Sequence, residues 1–487
     1  MTQKVLNFIN GEFVASSSNR WIEIINPATR EKISELNDSN AADLEKAVSA
    51  AEQAFPMWSA ASARDRAKIL RKISELIEKH SKDFALLETR NTGKPLKTSQ
   101  TVEIPRSAHN FEFFADAATQ WSAESHSMEG HAINYTLRQP LGPVACISPW
   151  NLPLYLLSWK IAPALAAGNT VIAKPSEVTP MSANLLAGIL NDAGLPPGVL
   201  NILQGRGQEI GAALCNHSKI KAVSFTGSTG VGAQIAGAAA ASFKKVSLEL
   251  GGKNASLVYA DCDFQLAIKE SLRAAFSNQG QICLCASRIL IEESIYPRFR
   301  DEFVRRASEL KCGDPLLMET QQGSLVSEIH FNKVKTSVAR AIGEGARVLC
   351  GGKPATLGGA FAKGFFFEPT VLEGLGPDAA TNQEEIFGPV VTLQSFKSEN
   401  ESVLLANNSR YGLAHSLWTQ DITRAHRVAA QLQTGIVWIN SWMLRDLRTP
   451  FGGIKDSGLG REGGLDAYRF FTETKNVCVG LEGGTLK

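Results

Sequence analysis

The chain is poor in the groups from which most hydrolytic and metal-dependent sites are built. Its eight histidines stand away from every motif singled out below. Its eight cysteines are scattered, so they form no disulfide framework, and a chain of 487 residues needs no such staples. Only Cys283 and Cys285 are close, and C-x-C without a second cysteine or a histidine pair makes no metal site. No metal is expected. A charge excess is missing too. Lys plus Arg is 50 and Asp plus Glu is 48, which gives nucleic acid or an anionic membrane nothing to grip. No apolar run approaches the roughly 20 residues that span a bilayer. The richest one, Leu152 to Ala167, is broken by Lys160, Pro153 and Pro163. The first residues lack an apolar signal core and a small-residue cleavage site, so a cytoplasmic chain is expected. The dinucleotide fingerprint G-x-G-x-x-G is also absent.

What is present is a well-filled α/β chain. Hydrophobic residues make up 44%, and the length suits two or three domains. Apolar alternation around Asn10-Gly11 predicts a short hairpin. Helical spacing of apolar residues predicts helices over 41–55, 62–78 and about 101–121. From Val144 the chain alternates strand and helix through strands at 170–175, 199–203 and 222–225, the pattern of a parallel sheet. The pattern restarts after Glu249, with a strand at 255–259, a helix at 264–276 and further strands at 288–292, 365–372, 389–396 and 435–439. The stretch 319–352 is expected to be mostly helical. The polar segment 122–140 ends in an alternating strand, Ile133 to Arg138, and the tail offers another at 472–479. The two are expected to pair as an arm that other subunits share.

Three stretches carry the chemistry. Phe276 to Arg288 places Cys283 after Gly280-Gln281-Ile282, between a helix and a strand, where a turn aims it into a cleft. Leu248-Glu249-Leu250-Gly251-Gly252-Lys253 puts a carboxyl in an apolar, tightly turned setting that raises its pKa toward the range of a base. Pro149-Trp150-Asn151-Leu152-Pro153 carries a side-chain amide, which either caps the next helix or faces the cleft. Thiol, carboxyl and amide make a nucleophile, a base and an oxyanion donor. For each residue taken alone the structural reading is the commoner one. A nucleotide site is read from Phe225 to Gly232, where Ser228 opens a helix, and from Lys174-Pro175-Ser176-Glu177 at the end of another strand. A carboxylate at Glu177 suits ribose hydroxyls and repels a 2′-phosphate, so NAD is favoured over NADP. A cysteine hydrolase is the competing reading, and the nucleotide motifs and the missing histidine partner count against it.

The motifs KPSE, FTGSTGVG, LELGGK, NQGQIC, EEIFGP and PFGGIKDSGLGRE, in this order, resemble the aldehyde dehydrogenase superfamily over essentially the whole chain. The resemblance implies an α/β fold of two Rossmann-like parallel-sheet domains with a β-strand oligomerisation arm. NAD-binding residues would span 1–121 and 141–251, the catalytic domain 252–450, and the arm 122–140 and 466–487. The chain would be a homodimer or homotetramer. Cys283 would attack the aldehyde, with its own N–H and Asn151 holding the oxyanion, and Glu249 would activate the water that releases the thioester. Lys174, Glu177, Ser228, Glu385, Phe387 and Trp150 would hold NAD. Cys285 is either inert packing or a resolving thiol for Cys283.

Tunnel walls by the same resemblance include Leu156, Trp159 and Trp442. Arg106, Arg445 and, more weakly, Arg448 lie in segments similar to those of 2-hydroxymuconic and 2-aminomuconic semialdehyde dehydrogenases. An arginine pairs with a carboxylate in bidentate fashion, so Arg106 and Arg445 are expected to clamp the carboxylate of a semialdehyde from aromatic-ring or kynurenine breakdown. Three alternatives stay open: a broad-specificity enzyme, a betaine-aldehyde type, and a non-catalytic relative.

Overall fold

The structure is a computed structural model in which residues 4–481 are described. The first three residues of the 1–121 segment and residues 482–487 of the expected arm lie outside the described residues. Two sheets dominate. In the first, the strands Leu200–Ile202, Thr170–Lys174, Pro143–Ile147, Ala222–Thr226 and Lys245–Glu249 lie side by side and parallel. Pro143–Ile147, Thr170–Lys174 and Ala222–Thr226 are buried along their whole length, which is why they read as unbroken apolar runs. The hairpin Asn7–Ile9 and Glu12–Val14 closes one edge and Gly458–Leu459 closes the other, all antiparallel.

The chain runs outward from Pro143–Ile147 through Thr170–Lys174 to Leu200–Ile202. It then returns to the other side of Pro143–Ile147 with Ala222–Thr226. The winding therefore reverses between Pro143–Ile147 and Ala222–Thr226, and ligands bind at the carboxyl ends of strands at such a reversal. The second sheet orders Arg347–Cys350, Thr370–Glu373, Val390–Phe396, Ala286–Glu292, Asn254–Val258, Ala414–Trp418 and Ile436–Ile439. It is parallel except for its first pair.

A third, three-stranded sheet joins Thr472–Gly480, Ala132–Pro140 and Ser125–Met128. The expected pairing of tail and arm is there, with Thr474 opposite Arg138 and Val479 opposite Ile133. The helix Gly464–Phe470, which runs into the 466–487 segment, packs on the core beside the first sheet, where Ala467 and Phe471 join Trp159 and Leu165.

Some elements differ from the sequence reading. Only Glu328–Gly343 of 319–352 is helical, because Ser327 caps it and Gly345, at φ 99°, turns the chain into the strand Arg347–Cys350. The strand expected over 365–372 is confined to Thr370–Glu373, immediately after Pro369. The helix expected from 101 begins as a π turn, Ser99–Glu103, which runs into Ile104–Ala118.

Candidate active site

A cleft separates the carboxyl rim of the first sheet from the amino ends of the second. Its core is a cavity of about 240 Å³ lined by Pro149, Trp150 and Asn151, by Thr226, Gly227 and Ser228, and by Cys283, Glu385 and Phe387. The first two groups follow the two strands between which the winding reverses.

Cys283 is presented by a strained turn. Asn278, Gln279 and Gly280 all have left-handed backbones, at φ 50°, 55° and 70°. Only glycine fits at 280, because a Cβ there would stand 2.0 Å from Gly388 O. Asn254, at the head of its strand, donates through Nδ2 to the carbonyls of Cys283, at 2.7 Å, and Cys285, at 3.0 Å. The Cys283 N–H has no acceptor among the described residues. Burial pushes the thiol well above its usual pKa, with the nearby carboxyls of Glu385 and Glu249 adding to the rise. Cys285 is buried, and its Sγ points at Ser277 O, 3.7 Å away.

Asn151 does not cap a helix. The helix Pro153–Ala166 starts after Leu152 without a side-chain cap, and the Leu154 N–H is taken by Glu88. The Asn151 amide instead spans the cleft floor and donates one Nδ2 hydrogen to Gln281 O at 2.8 Å. That bond fixes the plane of the amide and leaves its second hydrogen free.

Glu249 ends its strand level with Thr226. Glu249 is 4% exposed and its Oε1 has no partner among the described residues. Gly452 of the PFGG motif leaves it room, since a Cβ there would lie 2.5 Å from Oε1. Burial raises the Glu249 pKa well above the carboxylate range, and the charge of Glu462 raises it further. Glu462 binds Lys160 at 2.6 Å, and Ser224 Oγ lies 3.2 Å from both.

On the nucleotide side, Glu385 folds over the glycine turn after Glu249. It accepts the Gly252 N–H at 3.0 Å, and a Cβ on Gly251 would stand 2.3 Å from its Oε2. Phe387 is also left-handed, at φ 62°. Lys174 and Glu177 form an ion pair at 3.1 Å, and Glu177 accepts the Gly207 N–H at 3.1 Å. Burial opposes the charge on Glu177, but Lys174 and the backbone donors outweigh it and lower the pKa. Ser228 caps the helix Thr229–Ala240. Trp150 stands edge-on to Phe387 at 5.3 Å.

Contrary to the sequence reading, one histidine does stand here. His330 packs 5.0 Å from the Trp150 ring and donates from Nε2 to Phe387 O at 2.7 Å. Burial lowers its pKa to about 4, so the ring is neutral. Its helix also brings Lys333 to the cavity, three residues on and therefore on the same face. That spacing was the sequence signal for both residues. Lys160 and Glu462 gave no sign of each other, because their pairing spans 302 positions of the chain.

The residues next along the chain, Leu152 and Ile282, line a second cavity of about 410 Å³ with Tyr155, Val102, Trp442 and Met443. Leu156 packs with Ile282, Trp442 and Phe451. Trp159 is 2% exposed and lies 5.4 Å from Phe114, within the core. Its ring has Arg106 at 5.3 Å and Arg445 at 5.5 Å. Arg445 donates to Tyr155 OH at 2.9 Å, and Arg106 lies 5.2 Å from the same ring. Arg106 Nε donates to Asn110 Oδ1, while its buried Nη2 has no partner among the described residues. Burial and the like charge of Arg445 bring Arg106 down to about 10, partly offset by Tyr155. Arg445 is near enough to lower both Cys283 and Glu249. Among the described residues neither arginine meets a carboxylate, whereas Arg448 pairs with Asp446 at 2.6 Å on the surface.

Sheets wound this way, with the ligand crevice on a parallel rim, are those of nucleotide-binding α/β enzymes. The chain belongs to the aldehyde dehydrogenase family, whose description "Aldehyde dehydrogenase family" matches residues 13–477. It is 46% identical to 2-aminomuconic semialdehyde dehydrogenase of Danio rerio over 476 residues, covering 97% of each chain. It is 44% identical to 2-hydroxymuconic semialdehyde dehydrogenase of Pseudomonas sp. (strain CF600), over 98% of this chain and 100% of that one. Among solved structures, PnpE in complex with nicotinamide adenine dinucleotide superposes with a TM-score of 0.96 at 39% identity, covering 99% of this chain and 98% of that one.

Proposed function

We propose that the chain oxidises a semialdehyde carrying a carboxylate, 2-aminomuconic or 2-hydroxymuconic 6-semialdehyde, to the dicarboxylic acid with NAD. The observation that carries this reading is the pair of part-buried guanidiniums, Arg106 and Arg445, which share the Tyr155 and Trp159 side chains and meet no carboxylate among the described residues. Two like charges held together in a half-dry place call for an anion between them. The relatives named for muconic semialdehydes support it. A neutral or cationic aldehyde leaves both charges unpaired. The enzyme works as a cytoplasmic homodimer or homotetramer through the arm, whose exposed Ile133, Tyr135 and Val479 support burial against another subunit.

NAD fits the cleft. Gly227 and Gly251 line the cavity without side chains, where a Cβ would press on the Phe225 ring at 2.4 Å or on Glu385 Oε2 at 2.3 Å, and the Glu177 carboxylate suits ribose hydroxyls and not a phosphate. Lys174, Glu177 and Ser228 would hold its adenosine half, and Glu385, Phe387, Trp150 and His330 its nicotinamide half. When bound, it accepts the hydride. In the reaction, Cys283 gives up its thiol proton to solvent and Sγ bonds to the aldehyde carbon. The carbonyl oxygen becomes an oxyanion, which the free Asn151 amide hydrogen and the Cys283 N–H stabilise. Loss of hydride from that carbon re-forms the C=O as a thioester. Glu249 then takes a proton from water as it attacks the thioester, and Sγ leaves with the acid released. Arg106 and Arg445 hold the distal carboxylate throughout.

Two consequences are measurable. Release of the thioester needs Glu249 ionised, and its raised pKa places the acid limb of kcat above the ordinary carboxylate range. Glu462→Gln removes a neighbouring negative charge, so the limb should move to lower pH. An unmoved limb in the kcat–pH profile would mean another group titrates. His330→Ala removes the donor that holds Phe387 in its left-handed backbone. The KM for NAD should rise about fivefold, for ~1 kcal/mol of released strain, and His330→Gln should recover part of it.

Product analysis tests the reaction itself. One NADH and one dicarboxylic acid should appear per 2-hydroxymuconic semialdehyde consumed, with little turnover on NADP. Equal use of NADP, or a product without the added oxygen, contradicts the reading.

A further inference from the structure

The stretch from Glu88 to Lys94 has no part in the chemistry above, yet it holds two of the segments that do, the one around Asn151 and the one after Glu177. Glu88 Oε1 accepts the Leu154 N–H at 3.0 Å, where the helix after Asn151 begins. Asn91 Nδ2 donates to Val178 O at 3.0 Å and Oδ1 accepts the Met181 N–H at 3.2 Å, pinning the chain after Glu177. Gly93 O accepts the Ser324 N–H at 3.0 Å. At φ +78°, with a Cβ that would stand 2.0 Å from Ser324 Oγ, position 93 admits only glycine. Lys94 Nζ then donates to the main-chain carbonyl of Asn151 at 2.8 Å and to Glu103 Oε1, with Glu88 Oε2 4.0 Å away.

Lys94, Glu88 and Glu103 are each no more than 1% exposed. Glu88 Oε2 and Glu103 Oε2 have no hydrogen bond among the described residues. Burial raises both carboxyls, Glu103 to about 7, with Lys94 pulling each down. A buried ion cluster is poor value for stability, since apolar side chains of like size do as well. Glu103 also ends the π turn Ser99–Glu103, and such turns gather at functional sites.

We propose that Lys94, set between Glu88 and Glu103, is a positioning residue for the oxyanion: by holding the Asn151 carbonyl it fixes the direction in which the amide meets the substrate. This rests on the reading of Asn151 as the oxyanion donor. The Asn151 carbonyl has two donors, Lys94 Nζ and Asn278 Nδ2 at 3.1 Å, and Asn278 belongs to the strained turn before Cys283. Lys94 is thus the anchor from outside that turn. Without it, the amide follows the motion of the turn that carries the thiol.

The test is a double-mutant cycle on kcat with a saturating semialdehyde. Asn151→Ala should lose about a hundredfold. Lys94→Met, which keeps the stem and leaves the two carboxyls to share a proton, should lose about tenfold or more through misplacement of the amide, with the KM for NAD unchanged. The double variant should be no slower than Asn151→Ala alone, because Lys94 acts only through Asn151. Glu103→Gln, which keeps the shape, should show the same non-additivity with a smaller loss, and it stands in if Lys94→Met does not fold. Losses that multiply, or a folded Lys94 or Glu103 variant with unchanged kcat, overturn the inference alone. Unchanged kcat in Asn151→Ala overturns the reading of Asn151 and the inference with it.

Discussion

Arg445→Ala should lower kcat/KM for 2-hydroxymuconic semialdehyde about a hundredfold, within the ~2–5 kcal/mol that truncating one partner of a buried, hydrogen-bonded charge pair costs. The loss should fall mostly on KM, because the carboxylate is held equally in ground and transition states. A neutral aldehyde such as hexanal should respond differently. Arg445 lowers the pKa of both Cys283 and Glu249. Its removal raises both, so hexanal turnover should fall modestly at neutral pH and recover as pH rises. Arg106 is not among the main charges acting on either group, so Arg106→Ala should largely spare hexanal while weakening the muconic substrate. Arg445→Lys should recover only part of the affinity, since an ammonium lacks the two-pronged geometry. Equal losses on both substrates in Arg106→Ala would remove the clamp.

Glu249→Gln should separate the two halves of the reaction. The amide fits the same space against Gly452 but cannot take a proton. The thioester should form and persist. Mixing enzyme, NAD and substrate should give a burst of one NADH per site, followed by a steady state slower by about a thousandfold. Intact-protein mass should then show the acyl group, and Cys283→Ser should abolish burst and adduct together. Loss of the burst itself would place Glu249 in the first half, as the base for the thiol.

Much of this was legible before any coordinates. Strands buried on both faces leave unbroken apolar runs, so the parallel core around Pro143–Ile147 was readable. The arm strands were readable from alternation and they pair as expected, while the register between them was not read. Cys283 and Asn151 line one cavity, and Glu249 is near enough to act on the Cys283 thiol. The polar partners behind them were hidden for a physical reason. Lys160 looks like a flaw in an apolar helix until Glu462 arrives from far along the chain. Asn254 and Lys94 act on main-chain carbonyls, which no side-chain pattern records. The over-long helix read at 319–352 failed where Ser327 and Gly345 set the real ends, and local apolar spacing does not register a cap.

The most direct measurement is NADH formation by the unmodified enzyme on 2-hydroxymuconic semialdehyde beside hexanal and betaine aldehyde. A kcat/KM for the muconic substrate higher by about a hundredfold, the value of its paired carboxylate, is the result the arginine pair predicts. Preference for hexanal or betaine aldehyde would leave the dehydrogenase chemistry of Cys283 standing and contradict the carboxylate clamp.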